Sequence, residues 1–199
     1  AIDKGLEAIC FTDHEDIDYF CDDIEFVFDP ETYFKELGAL KEKYKEKLDI
    51  RIGVEFGLQP HLAKKAKAFT AANPYDFVIG SMHVVGGKDP YYPEFFEGIS
   101  DEEAYRMALR ETIADIRAVA DFDVLGHLDY VVRYGKCQAR QYSYKKYAQE
   151  IDEILKKVIA MGKAIAFLDG KEEVEVTVDF DDSIMEDSSA TIDKNTKLV

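Results

Sequence analysis

The 199-residue sequence has no tryptophan, only three cysteines, and no apolar run near the roughly 20 residues needed to span a bilayer. Cys10, Cys21 and Cys137 are odd in number and show no CxxC spacing. This pattern argues against a disulfide framework and favours a reducing compartment. The sequence therefore predicts a cytoplasmic protein that has no membrane partner.

Basic residues are also scarce, because 25 lysines and arginines face 41 acidic residues, giving a net charge of −16. A surface that follows a nucleic-acid backbone needs a basic face, so the charge argues against a nucleic-acid partner. A small phosphorylated substrate would need local compensation, from metal ions or an arginine in a cleft. The hydrophobic fraction of 47% is that of a globular domain.

Short apolar runs alternate with longer helical patterns along the chain. The strand candidates are residues 7–12, 50–56, 76–81, 123–127 and 163–168. The helix candidates are residues 30–48, 61–72, 101–120 and 143–161. Strands separated by helices favour right-handed parallel crossovers, so we expect an α/β fold. Five such strands are too few to close a barrel.

Both ends of the sequence differ from its middle. Residues 1–5 lack a methionine and resemble the last turn of a helix capped by Gly5, so we expect a missing segment upstream. Residues 173–180 alternate between apolar and polar, which predicts an edge strand. The stretch 169–199 holds ten acids and three lysines, which predicts a weakly ordered tail. We therefore divide the chain into a βα domain, 1–168, and an added segment, 169–199.

Metal-binding residue types recur where the predicted strands end. His14, His83 and His127 follow three of these strands, and Glu55 ends another. Parallel sheets gather their reactive groups at the strand C-termini, so the four side chains should share one rim. A single histidine there is more often structural, but four such residues in register favour a site for Zn, Mn or Fe.

Five short strings resemble successive motifs of the polymerase and histidinol phosphatase (PHP) family. They come in the family's order and are FTDHE at 11–15, GVEFG at 53–57, GSMH at 80–83, GHLD at 126–129 and RYG at 133–135. GLQPH at 57–61 and the RYG string resemble the histidinol-phosphatase branch. The resemblance implies a phosphomonoesterase that converts histidinol phosphate to histidinol and phosphate.

The family has a distorted seven-stranded βα barrel that holds up to three metals at its strand C-termini. By resemblance, Glu55 is the carboxylate that bridges metals, and His83 and His127 are its partners on one of them. His14 resembles a ligand of a different metal. The chain is thus expected to form an incomplete barrel of this type, with at least one divalent transition metal.

Three further residues are candidates for catalysis or substrate binding. Arg133 is expected to hold the substrate phosphate, because a guanidinium fork matches phosphate oxygens. Asp129, like Asp13, could orient a metal-bound histidine, and a turn or helix-cap role for Asp129 is an equal alternative. His61, near a predicted helix start, is a candidate for lining the substrate pocket, with a capping or packing role as its alternative.

The sequence also departs from the family pattern. It has no His-x-His at its first strand and no histidine after His127, where the family has Asp-x-His. The alternative to an enzyme is therefore an inactive fragment or an interaction scaffold, and a truncated coding sequence explains the same facts. An open barrel would expose apolar edges, which favours association into a homo-oligomer.

Overall fold

Six strands, all paired in parallel, form the sheet in the computed structural model, which describes residues 1–20, 25–136 and 142–166. The strands are β1 Ala8–Phe11, β2 His14–Glu15, β3 Asp49–Gly57, β4 Phe77–Ser81, β5 Val124–Leu125 and β6 Ala164–Ile165. Their order is β1-β3-β4-β5-β6, and β2 also pairs with β3. The helices between them are α1 Pro30–Tyr44, α2 Ala63–Ala72, α3 Asp101–Ala118 and α4 Tyr144–Ala160.

Strands β1 and β2 lie along the same edge of β3, one after the other. Ala8 pairs with Asp49 at the start of this edge, and His14 pairs with Glu55 near its end. The long strand β3 therefore serves as a common partner for both short strands. The register places the backbone of His14 directly beside that of Glu55.

Local sequence signals account for the helix ends. Asp29 caps α1 by accepting a hydrogen bond from the backbone of Thr32 at 2.9 Å. Ser100 caps α3 in the same way through the backbone N–H of Glu103, at 3.2 Å, as its sequence spacing predicts. After α4, Gly162 adopts a left-handed φ of 66°, which a glycine tolerates without strain. The chain can then turn back into β6.

The core lies where helices α3 and α4 pack on the sheet. Val54 and Phe56 of β3 belong to the same buried hydrophobic cluster as Tyr105 of α3 and Ile154 of α4. In α4, Ile154 belongs to the apolar stripe Ile151, Ile154 and Val158, all of which are buried. This packing fixes the central strands from which the polar rim projects.

The predicted strands and helices are present, with shorter bounds in several places. Helix α1 ends at Tyr44 rather than at residue 48, and strand β5 ends at Leu125 rather than at residue 127. Gly5 caps a 3₁₀ turn, Ile2–Lys4, as expected from its sequence. The predicted strand at 173–180, like all of 167–199, lies outside the described residues. In the part of the chain that is described, no helix has the length and apolarity to cross a membrane.

Candidate metal centre

Four strands bring candidate ligands to the C-terminal rim of the sheet. Glu55 lies near the end of β3, and His14 begins the short strand β2 beside it. His83 lies two residues beyond the end of β4, and His127 lies two residues beyond the end of β5. These neighbouring strand ends bring together the four residues that the sequence predicted to share one rim.

The Glu55 carboxylate is the centre of this group. Its Oε1 atom lies 2.9 Å from His127 Nε2 and 3.1 Å from His83 Nε2. Its Oε2 atom lies 3.7 Å from His14 Nε2. Two histidines thus face one carboxylate oxygen, and the third histidine faces the other.

These distances fit a bound cation. The Nε2 atoms of His83 and His127 are 3.3 Å apart, and a tetrahedron with Zn–N bonds of 2.0–2.1 Å has edges of about 3.3–3.4 Å. One ligand atom each from His14, Glu55 and His83 also falls within a group in which all separations are under 4.8 Å. Imidazole and carboxylate donors suit Zn, Mn or Fe. The residues present therefore fit a divalent transition metal.

Asp16, which was not predicted from sequence, contacts two of these histidines on the side of each ring that faces away from Glu55. Its Oδ2 lies 2.9 Å from His14 Nδ1, and its Oδ1 lies 2.8 Å from His83 Nδ1. A signal for the first contact was available, since His14 and Asp16 are only two residues apart in the chain. The second contact spans 67 residues and depends on the fold.

The charges in this cluster stabilise one another. Burial alone would raise the pKa of Glu55, but hydrogen bonds from His127 and His83 hold that pKa well below its ordinary value. Burial would lower the pKa of His83, but Asp16 and Glu55 raise it to about 10. The Asp16 pKa is also lowered, because contacts with His14 and His83 outweigh its burial. The metal-free cluster therefore pairs carboxylates with protonated imidazole.

A tyrosine network joins the loops around this cluster. The ring of Tyr130 lies 5.1 Å from that of His127 and 5.5 Å from that of His83, measured between centroids. Its hydroxyl donates to buried Asp89 at 2.8 Å, and Tyr19 donates to the same carboxylate at 2.6 Å. The segments that follow β2, β4 and β5 are thereby tied together beside the histidines.

The other predicted site residues lie around this cluster rather than in it. Arg133 ends the 3₁₀ turn Tyr130–Arg133 and is exposed, and it forms no ion pair with the described residues. Asp129 precedes the same turn, and its side chain does not cap it. Asp129 also does not accept from His127, whose buried Nδ1 has no hydrogen-bond partner in the described structure. His61 is exposed and contacts Asp18 at 3.1 Å.

Solved and curated proteins resemble this chain over most of its length. Histidinol-phosphatase of Lactococcus lactis subsp. lactis strain IL1403 is 32% identical over 166 residues, which cover 83% of this chain and 61% of that protein. Its crystal structure, described as a complex with zinc, L-histidinol and phosphate, matches with a TM-score of 0.77 over 83% of this chain and 62% of that one. The chain thus spans about three fifths of this relative.

Two further findings define the family. A Listeria monocytogenes structure matches with a TM-score of 0.69 over 82% of this chain and 71% of that one, and at 17% identity it shows the fold alone. The family model described as PHP domain matches residues 1–168. On this evidence, the chain belongs to the PHP domain family and is related to histidinol-phosphatase.

Proposed function

We propose that this chain is a metal-dependent phosphomonoesterase that hydrolyses histidinol phosphate to histidinol and phosphate. The observation that carries the proposal is the convergence of three imidazole Nε2 atoms on the Glu55 carboxylate. The Lactococcus relative, whose crystal structure holds zinc, L-histidinol and phosphate, supports the choice of substrate. The 32% identity to that protein supports the reaction class.

The ligands divide between the two oxygens of Glu55. His83 and His127 approach Oε1, so these three residues are proposed to hold one cation. His14 approaches Oε2 and would help to hold a different cation. Zinc, manganese and iron all suit this donor set.

When bound, a divalent cation supplies Lewis acidity and acidifies a coordinated water toward neutral pH. The chain's own residues bind and orient the substrate. Arg133, exposed and free of ion pairs with the described residues, is proposed to bind phosphate oxygens through its guanidinium fork. Positive charge at this position offsets the repulsion of a phosphate by a chain of net charge −16.

Asp129 and His61 are proposed for supporting roles on the same rim. Asp129 is proposed to support catalysis from its place directly before the turn that carries Arg133, where its backbone carbonyl accepts from the N–H of Val132 at 2.9 Å. His61, at the exposed end of the segment after β3, is proposed to contact the part of the substrate that lies away from the phosphate. The parallel strands are proposed to form part of an incomplete seven-stranded barrel, whose open edge favours a homo-oligomer.

Phosphate release from histidinol phosphate tests this proposal. With added zinc or manganese, the chain should release phosphate, and a chelator should stop it. Glu55→Gln should abolish release, because it removes the charge that His83 and His127 share. Glu42→Gln is the matched control, because Glu42 is exposed and forms a surface ion pair with Lys45.

A metal-binding scaffold without catalytic activity is the second candidate. The described residues bring together four candidate ligands, which suffice for a single zinc site but are few for a clamp of two cations. Tight metal binding with no phosphate release from histidinol phosphate would favour this scaffold. Failure to bind metal at all would contradict both candidates.

A further inference from the structure

Asp16 contacts two histidines that come from different strands. Its buried carboxylate places one oxygen at 2.9 Å from His14 Nδ1 and the other at 2.8 Å from His83 Nδ1. The two imidazole rings stack with their centroids 4.9 Å apart and an interplanar angle of 27°. Their opposite nitrogens, the Nε2 atoms, face Glu55. Each ring is therefore held between two carboxylates.

The fold provides a fitted place for this carboxylate. The backbone N–H of Asp16 donates to the carbonyl of Phe26 at 2.7 Å, which fixes the start of the side chain. On the neighbouring strand, a Cβ atom added at Gly57 would lie only 2.1 Å from Asp16 Oδ1. Glycine at position 57 is thus required for the carboxylate to reach His83.

The geometry has a chemical consequence for the histidines. A neutral imidazole that binds a cation through Nε2 carries its proton on Nδ1, and an acceptor at Nδ1 fixes both that tautomer and the ring orientation. One carboxylate does this here for two rings. His127 provides the contrast, because its buried Nδ1 has no hydrogen-bond partner among the described residues.

We propose that Asp16 is a positioning residue that fixes His14 and His83 together and thereby couples the two halves of the metal centre. One half is His14 at Glu55 Oε2, and the other is His83 with His127 at Oε1. This inference rests on the proposed metal site. It adds that a change at Asp16, which is not itself a ligand, disturbs both halves at once.

Asp16→Asn is the direct test, because asparagine keeps the shape but has only one oxygen to accept from two N–H groups. Zinc affinity, measured by competition with a chromophoric chelator, should fall by about 10- to 100-fold. Nitrogen-15 spectra of the zinc-loaded protein should show the Nδ1–H signals of both His14 and His83 in the parent. At least one of these signals should be shifted or lost in the variant.

Asp49→Asn is the matched control, because Asp49 is an exposed acid whose side chain forms a surface ion pair with Arg51. It removes the same charge, and its zinc affinity should equal that of the parent. An equal fall in both variants would overturn the inference, because general electrostatics would then explain the effect. Weaker binding with unchanged Nδ1–H signals would also overturn it, because the rings would not have moved.

Gly57→Ala gives a second route if Asp16→Asn does not fold, as judged by circular dichroism. The added methyl group would displace the Asp16 carboxylate without changing any charge. Zinc affinity should fall in the same direction, and the His83 Nδ1–H signal should shift. Gly38→Ala is its control, because a Cβ at Gly38 on helix α1 would have no neighbour within 4 Å among the described residues.

Glu55→Gln separates this inference from the proposed function. If Glu55→Gln loses zinc while Asp16→Asn and Gly57→Ala bind it as the parent does, the metal centre stands and the positioning role is overturned. If Glu55→Gln also binds zinc like the parent, the metal centre itself is wrong. If all three variants bind zinc more weakly and the ring signals change, both proposals are supported.

Discussion

Glu55 on the rim and Asp115 in helix α3 are both largely buried acids, yet their pKa values move in opposite directions. Hydrogen bonds from His127 and His83 overcome the burial of Glu55 and lower its pKa. Asp115 has no solvent exposure, and neither of its oxygens has a hydrogen-bond partner among the described residues. Burial, followed by repulsion from Glu111, raises the Asp115 pKa to about 8.

The comparison shows that partners, rather than burial, decide whether an interior acid keeps its charge. On the rim, histidines and carboxylates contact one another in a geometry that also suits a cation. In α3, no base among the described residues contacts the acid, so Asp115 is expected to be protonated at neutral pH. The rim residues therefore stabilise charged side chains, whereas the burial of Asp115 lowers the stability of the folded chain.

The largest loss of stability should come from a variant whose rim carboxylates lack a histidine partner, as Asp115 does. His83→Ala removes the imidazole that contacts both Asp16 and Glu55, and so leaves two interior carboxylates with fewer partners. The free energy of unfolding of the metal-free protein should fall by about 3 to 5 kcal/mol. Urea denaturation measures this loss.

The exposed residue His61, replaced by alanine, is the control for that variant. Its contact with Asp18 lies at the surface, so the free energy of unfolding should change by less than about 1 kcal/mol. Equal losses in the two variants would show that the rim histidine is not part of a stabilising charge cluster.

A smaller change in stability should follow from replacing Asp115, the buried acid in α3. Between its ordinary pKa of 3.8 and its folded value of about 8, Asp115 binds more protons when folded than when unfolded. Its contribution to stability therefore falls as pH rises through this range, and it levels off above pH 8. The stability of Asp115→Asn relative to the parent should rise between pH 5 and pH 8 by on the order of a few kcal/mol.

Urea unfolding at the two pH values measures this difference. Asp121→Asn serves as its control, because Asp121 is exposed just beyond the same helix. A pH-independent difference between Asp115→Asn and the parent would mean that the acid is ionised in the folded protein and has a partner there.

The smallest of the three changes in stability should come from adding a cation to the parent chain, whose rim is unchanged. Zinc at about 100 times its dissociation constant should stabilise the folded chain by about 2.7 kcal/mol. The rise in melting temperature measures it and should persist in Asp115→Asn, because α3 lies outside the metal centre. A rise of the same size in His83→Ala would place the zinc elsewhere.

Much of the rim could be predicted from sequence, because strand C-termini of a parallel sheet meet at one edge. Glu55, His83 and His127 follow directly from that rule. The position of Asp16 was harder to predict from sequence, because its contact with His83 depends on the space that Gly57 leaves on a neighbouring strand. Asp115 was not among the residues predicted from sequence, although it lies three residues after buried Thr112 and seven after buried Ala108, on the buried face of α3.

Glu55, His83 and His127 are proposed to bind one cation. Crystals grown with zinc, with anomalous differences recorded on both sides of the zinc absorption edge, test it most directly. We expect a zinc peak at about 2.0–2.1 Å from the Nε2 atoms of both His83 and His127, and in contact with Glu55 Oε1. Zinc bound only elsewhere, such as between His61 and Asp18, or no zinc peak at all, would contradict it.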